Sequence, residues 1–165
     1  GYSFGSVAAM TAAAAKARGI RVGVMKPAET GCAAAHGELA PADAQALVCA
    51  ASTELSLALV CPYRYPSPLA PACAAEVDGL PAPDPDKIER CFGEIAEQSA
   101  LVIVEGAGGI AVPITWRFNY ADLVLRLGLE VVLVVGNRLG CLNATLLSVH
   151  YAKARNLNQI GRAHV

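Results

Sequence analysis

The chain has no excess of either charge and no long apolar run: 13 Lys and Arg face 14 Asp and Glu, and the longest stretch free of them is 1–15. The first lack removes any field able to grip a polyanion or an acidic membrane, so no nucleic-acid or membrane partner is expected. The second excludes a membrane-spanning helix, which needs about 18 or more apolar residues; 1–15 is shorter and contains Ser, Thr and Gly. No basic segment precedes that stretch, so nothing reads as a secretory leader, and the cytoplasm is the expected compartment. Paired cysteines are missing as well. The six, Cys32, Cys49, Cys61, Cys73, Cys91 and Cys141, are 17, 12, 12, 18 and 50 residues apart, with no C-x-x-C and no nearby His ladder. That excludes a readable zinc knuckle or disulfide framework, and all but Cys141 are expected to be reduced, small, buried hydrophobes.

What is present suits one domain. The chain has 165 residues, 55% of them hydrophobic, but 32 are alanine. Larger apolar side chains are therefore little more than a third of the chain, and the core is expected to be ordinary, built on small-residue helices. Three short runs rich in Val and Ile, 20–25, 101–104 and 131–135, read as buried strands. Helices are predicted around them: alanine-rich 6–17, then 84–98 with Ile88, Phe92 and Ile95 on one face, 119–127 capped by Asn119 with Asp122 three residues on, and 141–155. Strands alternating with helices predict an α/β domain around a mostly parallel sheet, since parallel strands need crossovers. Seven of the ten prolines lie between Pro62 and Pro85, which fits irregular connections near a site better than an interdomain linker. No repeat is visible.

In open α/β sheets ligands bind beyond the carboxyl ends of strands. Lys26-Pro27-Ala28-Glu29-Thr30-Gly31 follows the first run. A lysine at a strand tip can neutralise an anion, and Thr30 offers a hydroxyl in a Gly-terminated turn, although a solvated lysine and an ordinary turn fit equally well. Glu105-Gly106-Ala107-Gly108-Gly109 follows the second. A carboxylate ending an apolar run is placed where Mg²⁺ meets phosphate oxygens, and the glycines let backbone N–H groups approach a ligand. Gly136 to Asn143 follows the third and feeds a helix N-terminus able to bind a carboxylate. Position alone makes Asn143 a helix cap and Asp43 an ordinary first-turn carboxylate.

Five segments together resemble the dethiobiotin synthetase family. They are Val24 to Cys32 (V-M-K-P-A-E-T-G-C), Asp43 to Leu47, Pro62 to Tyr65 with Pro68 to Pro71, Val104 to Gly109, and Val134 to Asn143. Their order and spacing are family-like over about residues 7–157. The resemblance implies a three-layer, P-loop NTPase-like α/β fold and a homodimer with sites at the subunit interface. It implies ATP- and Mg²⁺-dependent closure of the ureido ring of dethiobiotin from 7,8-diaminononanoate and CO2, a step of biotin biosynthesis. Carried over by position, Lys26 is the catalytic cation that stabilises carbamate and phosphate charge. Thr30 and Gly108 contact the substrate, and Gly106, Ala107 and Gly108 lie along the nucleotide. Asp43 and Glu105 hold Mg²⁺ beside ATP. Cys141, Leu142 and Asn143 receive the substrate carboxylate from across the dimer, so Asp43 and Asn143 become site residues rather than caps, and Cys141 a contact rather than a nucleophile.

Two departures stand beside the resemblance. The family opens with a strand and a G-x-x-x-x-G-K-[ST] loop, whereas this chain opens Gly1-Tyr2-Ser3-Phe4-Gly5-Ser6 and has its first lysine at Lys16. Ser6 is the nearest counterpart of the loop hydroxyl. At the other end, Ile160 to Val165 (I-G-R-A-H-V) leaves the family pattern and matches one reading frame of a common sequencing adapter. The expectation is a synthetase domain over 1–159, truncated at both ends, with 160–165 foreign and with little ATP turnover. Ordinary coding sequence running past Val165 overturns the foreign tail. Two other nucleotide-dependent readings compete: an amide-forming ligase of the cobyrinate type, and a partition-type nucleotide switch that binds partners.

Overall fold

The alanine-rich N-terminal segment forms α1 (Phe4–Ala17) in the computed structural model, which describes residues 4–35 and 37–164. Gly19, at φ +78, closes it and turns the chain into β1 (Val22–Met25), buried along its whole length. Short β2 (Glu29–Thr30), β3 (Ala33–Ala35) and β4 (Glu38–Ala40) lead to α2 (Ala42–Ala51) and a single turn, α3 (Leu57–Val60). The proline-rich middle is more ordered than predicted. It contains β5 (Arg64–Tyr65) and α4 (Pro71–Val77), because a proline at the first helical position costs no hydrogen bond. Next come α5 (Pro85–Glu97), β6 (Leu101–Val104), β7 (Pro113–Thr115), β8 (Phe118–Asn119), α6 (Tyr120–Leu127), β9 (Val131–Val135), α7 (Cys141–Ala154) and β10 (Gln159–His164).

The three predicted strands are β1, β6 and β9. β1 pairs in parallel with β6, β9 with β10, and β2 with β5, while β3–β4 and β7–β8 are antiparallel. Helices cover both faces of the β1–β6 pair. Val22 and Val24 pack with Ala12, Ala15, Ala44 and Leu47 of α1 and α2, whereas Met25 packs with Ile88 and Ile95 of α5. This alternation sets three layers: helices, sheet, helices. The small residues of α1 and α2 let the two helices lie close, as the composition implied.

Local signals held in detail. Asp84 caps α5 by accepting from the Asp86 N–H, and Asn119 with Asp122 forms a complete capping box at α6. On α5, Ile88 and Ile95 are buried as expected, and Phe92 is half-buried against the same core beside buried Cys91. Of the five cysteines expected inside, Cys32, Cys61 and Cys91 are buried, Cys73 is intermediate and Cys49 is exposed on α2. Burial pushes the Cys61 thiol up to about 12, so it behaves as a hydrophobe.

Gly23 is where α5 comes closest to β1. A Cβ there would lie 2.4 Å from Ser99 Oγ and 2.5 Å from Ile95 Cγ2, and Ser99 Oγ is fixed by a 2.7 Å bond to the Ile95 carbonyl. Gly23→Ala is therefore expected to destabilise the protein by about 2 kcal/mol through overpacking, read as a lower urea midpoint at unchanged slope.

Candidate active site

The β1–β6 register pairs Met25 with Val104, so the next residue of each strand, Lys26 and Glu105, emerges side by side. The Glu105 N–H donates to the Met25 carbonyl at 2.8 Å and the Lys26 N–H to the Val60 carbonyl at 2.9 Å, which fixes both backbones. Lys26 is 3% exposed. Its Nζ lies 2.8 Å from Asp43 Oδ2 and 2.6 Å from Glu105 Oε1, and 3.5 Å from the Gly106 carbonyl. The residues at two strand tips and in the first turn of α2 thus meet on one ammonium; Lys26 is not solvated.

Buried Lys26 feels opposing influences. Burial lowers its pKa, but the charge of Glu105 and the hydrogen bonds and charge of Asp43 outweigh it, and the net direction is upward from 10.5. Glu105 also rises from its ordinary 4.5: burial is the largest cause, Lys26 opposes it, and the charges of Asp43 and Glu29 add to it. The two shifts differ in origin: ion pairing outweighs burial at Lys26, and burial outweighs ion pairing at Glu105. Glu105 Oε2 is buried without a hydrogen-bond partner. Among the described residues no three His, Cys, Asp or Glu side chains cluster as a ready-made metal site. Two converging carboxylates, one with an unclaimed oxygen, still suit Mg²⁺, which commonly takes one or two carboxylates with phosphate and water.

Of the other predicted residues, Gly106 meets this cluster through its carbonyl. Gly106 packs under the Tyr120 ring, where a Cβ would touch Tyr120 Cδ1 at 3.4 Å, and half-buried Glu105 and Ala107 flank it. Gly108 is at φ +79, with Val112 Cγ2 3.0 Å from where a Cβ would sit, so both backbone and space demand glycine. Thr30 ends β2 opposite Tyr65, and Gly31 at φ +76 turns the chain beside Pro68, bringing two resembling segments together. No hydrogen bond joins Thr30 to the Lys26 cluster among the described residues. Cys141, Leu142 and Asn143 are the first three residues of α7. Gly140 stands at the N-cap with no side-chain cap, so Asn143 does not cap the helix. None of the three touches Lys26, Asp43 or Glu105 through a hydrogen bond or ion pair among the described residues. The Ser6 side chain lies outside the described residues.

Two groups escaped the sequence reading. Glu29, within the K-P-A-E-T-G segment, is 5% exposed and accepts from the backbone N–H groups of Asp43 and Ala44 at 2.9 and 3.0 Å. Only its place after a strand hinted at this. Tyr120 is 5% exposed and its hydroxyl makes no well-formed hydrogen bond among the described residues, the Ala107 amide approaching it only weakly; burial raises its pKa to about 12, with that amide and Lys26 pulling the other way. Tyr120→Phe removes an unsatisfied buried hydroxyl and is expected to leave stability equal or higher by up to about 1 kcal/mol. Thermal unfolding checks this, and a clear loss would reveal a partner for the hydroxyl.

Comparison with known proteins agrees with the geometry. A family model described as an AAA domain matches residues 4–163. An ATP-dependent dethiobiotin synthetase of Aromatoleum aromaticum is 42% identical over 137 residues, covering 83% of this chain and 60% of the relative. The Xanthomonas axonopodis pv. citri synthetase is 41% identical over 162 residues, 98% of this chain and 70% of the relative. That of Anaeromyxobacter dehalogenans is 39% identical over 155 residues, 94% and 67%. The chain thus spans between 60% and 70% of the length of these relatives. With a strand-tip lysine held by two carboxylates, an α/β fold and matches along nearly all of its own length, the chain belongs to the ATP-dependent dethiobiotin synthetase family.

Proposed function

We propose that the protein binds 7,8-diaminononanoate and ATP and takes part in carboxylation and ring closure to dethiobiotin. The observation that carries this reading is Lys26 Nζ, buried at the end of β1 between Asp43 and Glu105. A fixed ammonium there stabilises negative charge as it develops on carbamate and phosphate oxygens, without reorganising when the reaction occurs. Asp43 and Glu105 would hold Mg²⁺, which supplies charge compensation for the ATP phosphates. The open backbone at Gly106 to Gly108 lies along the nucleotide and substrate, and the Thr30 hydroxyl binds the diamine end.

The first turn of α7 takes the substrate carboxylate through its uncapped N–H groups, with Cys141, Leu142 and Asn143 contributed by a second copy of the chain. Support for a homodimer comes from Leu142, Leu146 and Leu147 on α7, 78%, 59% and 62% exposed, with Leu139 just before them. Such a stripe on a surface helix calls for a partner. Leu146→Asp is expected to yield monomers in sedimentation at concentrations where the unsubstituted chain dimerises. No helix among the described residues is long and apolar enough to cross a membrane, and we place the enzyme in the cytoplasm.

Isothermal titration with 7,8-diaminononanoate tests the function. Saturable binding is expected. An absence of heat would sink this reading in favour of a cobyrinate-type ligase or a partition-type switch.

A further inference from the structure

We propose that Glu29 is a positioning residue: its carboxylate anchors the start of α2 to the start of β2 and thereby sets where Asp43 can meet the metal. The proposal rests on the reading of Asp43 as a Mg²⁺ ligand.

The first N–H groups of a helix have no intrahelical acceptor, and an N-cap side chain normally takes those of the second and third residues. In α2 the N-cap is Pro41, which makes no side-chain cap. The second and third residues are Asp43 and Ala44, and both N–H groups go to one buried carboxylate from another element. Asp43 N–H donates to Glu29 Oε1 at 2.9 Å and Ala44 N–H to Glu29 Oε2 at 3.0 Å. Glu29 makes no ion pair among the described residues: Arg64, opposite it in the β2–β5 ladder, donates to the carbonyls of Cys61 and Leu39. The helix terminus is therefore its compensating partner, an arrangement that favours an anion.

Asp43 is held from two sides. Its backbone hangs on Glu29 and its side chain on Lys26, 2.8 Å away. Because β2 begins only three residues beyond Lys26, the same short segment carries both the ammonium and the group that sets the distance to Asp43. Only a carboxylate offers two acceptors here. Glutamine keeps one and turns an NH2 toward a backbone N–H.

Partners that orient a metal ligand typically alter affinity about 10- to 100-fold when removed. Mn²⁺ binding to the full chain, followed by electron paramagnetic resonance, and amide hydrogen exchange at Asp43 and Ala44 test the proposal. Glu29→Gln is expected to speed exchange at both amides and to weaken Mn²⁺ about tenfold or more. Leu47→Val, which disturbs α2 in the core without touching its start, is expected to lower stability with Mn²⁺ affinity unchanged. Should Glu29→Gln fail to fold, Glu29→Asp keeps both acceptors but withdraws them, and the same weakening is expected. Unchanged exchange or unchanged Mn²⁺ affinity in the Glu29 variant, with Asp43→Asn impaired, overturns the positioning role alone. Full Mn²⁺ affinity in Asp43→Asn, or no Mn²⁺ binding by the unsubstituted chain, overturns the metal reading and this proposal with it.

Discussion

Lys26→Met is expected to destabilise the protein by about 3 kcal/mol at neutral pH, the lower end of what breaking a buried ion pair costs. The lower end applies because the Lys26 and Glu105 side chains are 4% and 10% exposed but that of Asp43 is 46% exposed, so water screens one of the two pairs. Methionine fills most of the space, which leaves the loss chiefly electrostatic: Glu105 stays buried without its counter-charge. The pH profile follows from the two shifts. Lys26 is raised above 10.5, so its stabilising contribution is fully present below 10.5 and is lost as pH rises through its folded value. Glu105 is raised above 4.5, so protonation favours the folded state, and that advantage is lost as pH rises through its folded value. Without the ammonium Glu105 rises further. The difference between wild type and Lys26→Met is therefore smallest below pH 4.5, where Glu105 is neutral in both. It grows toward neutrality, and it shrinks again above 10.5 as wild-type Lys26 loses its proton. Urea denaturation across this range measures it, and a difference that does not vary with pH would sink the electrostatic account.

Lys26 and Glu105 were legible because each ends an apolar run, and a charge at such a boundary is unusual enough to stand out. The parallel strands then bring the two together, since 79 residues of separation vanish once Met25 and Val104 are in register. Asp43 was different. A first-turn acid is common on any helix, and only the resemblance singled it out. Glu29 escaped altogether because its partners are backbone N–H groups of a helix 14 and 15 residues away, which carry no side-chain signature. Gly23 and Tyr120 escaped for a related reason: close approach of α5 and burial of a hydroxyl are properties of packing. The three- and two-residue ladders β3–β4 and β7–β8 offer too few positions for alternation to be read. On α5 the apolar spacing located both the helix and its inward face, with Phe92 at the edge of that face and small Cys91 filling the place beside it.

Glu105→Gln is expected to cost less stability than Lys26→Met, about 1 to 2 kcal/mol because Lys26 keeps Asp43 as a counter-charge, but to lose divalent-cation affinity beyond about 100-fold. The amide oxygen can keep accepting the hydrogen bond that Lys26 Nζ now donates to Oε1. The amide nitrogen takes the place of Oε2, already buried without a partner, so one unsatisfied group replaces another. Neutralising Glu105 also removes a charge that burial disfavours and that Asp43 and Glu29 repel. What goes is the feature that suits the site to a cation, an excess of negative charge focused by burial and an oxygen left unclaimed. Titration with Mn²⁺ alongside urea denaturation separates the two effects. A variant as stable as wild type that still binds Mn²⁺ normally would show that Glu105 serves Lys26 alone. A strongly destabilised one would show that the ionised carboxylate holds the strand ends together, and that Lys26 and Glu105 form a structural pair first and a reactive one second.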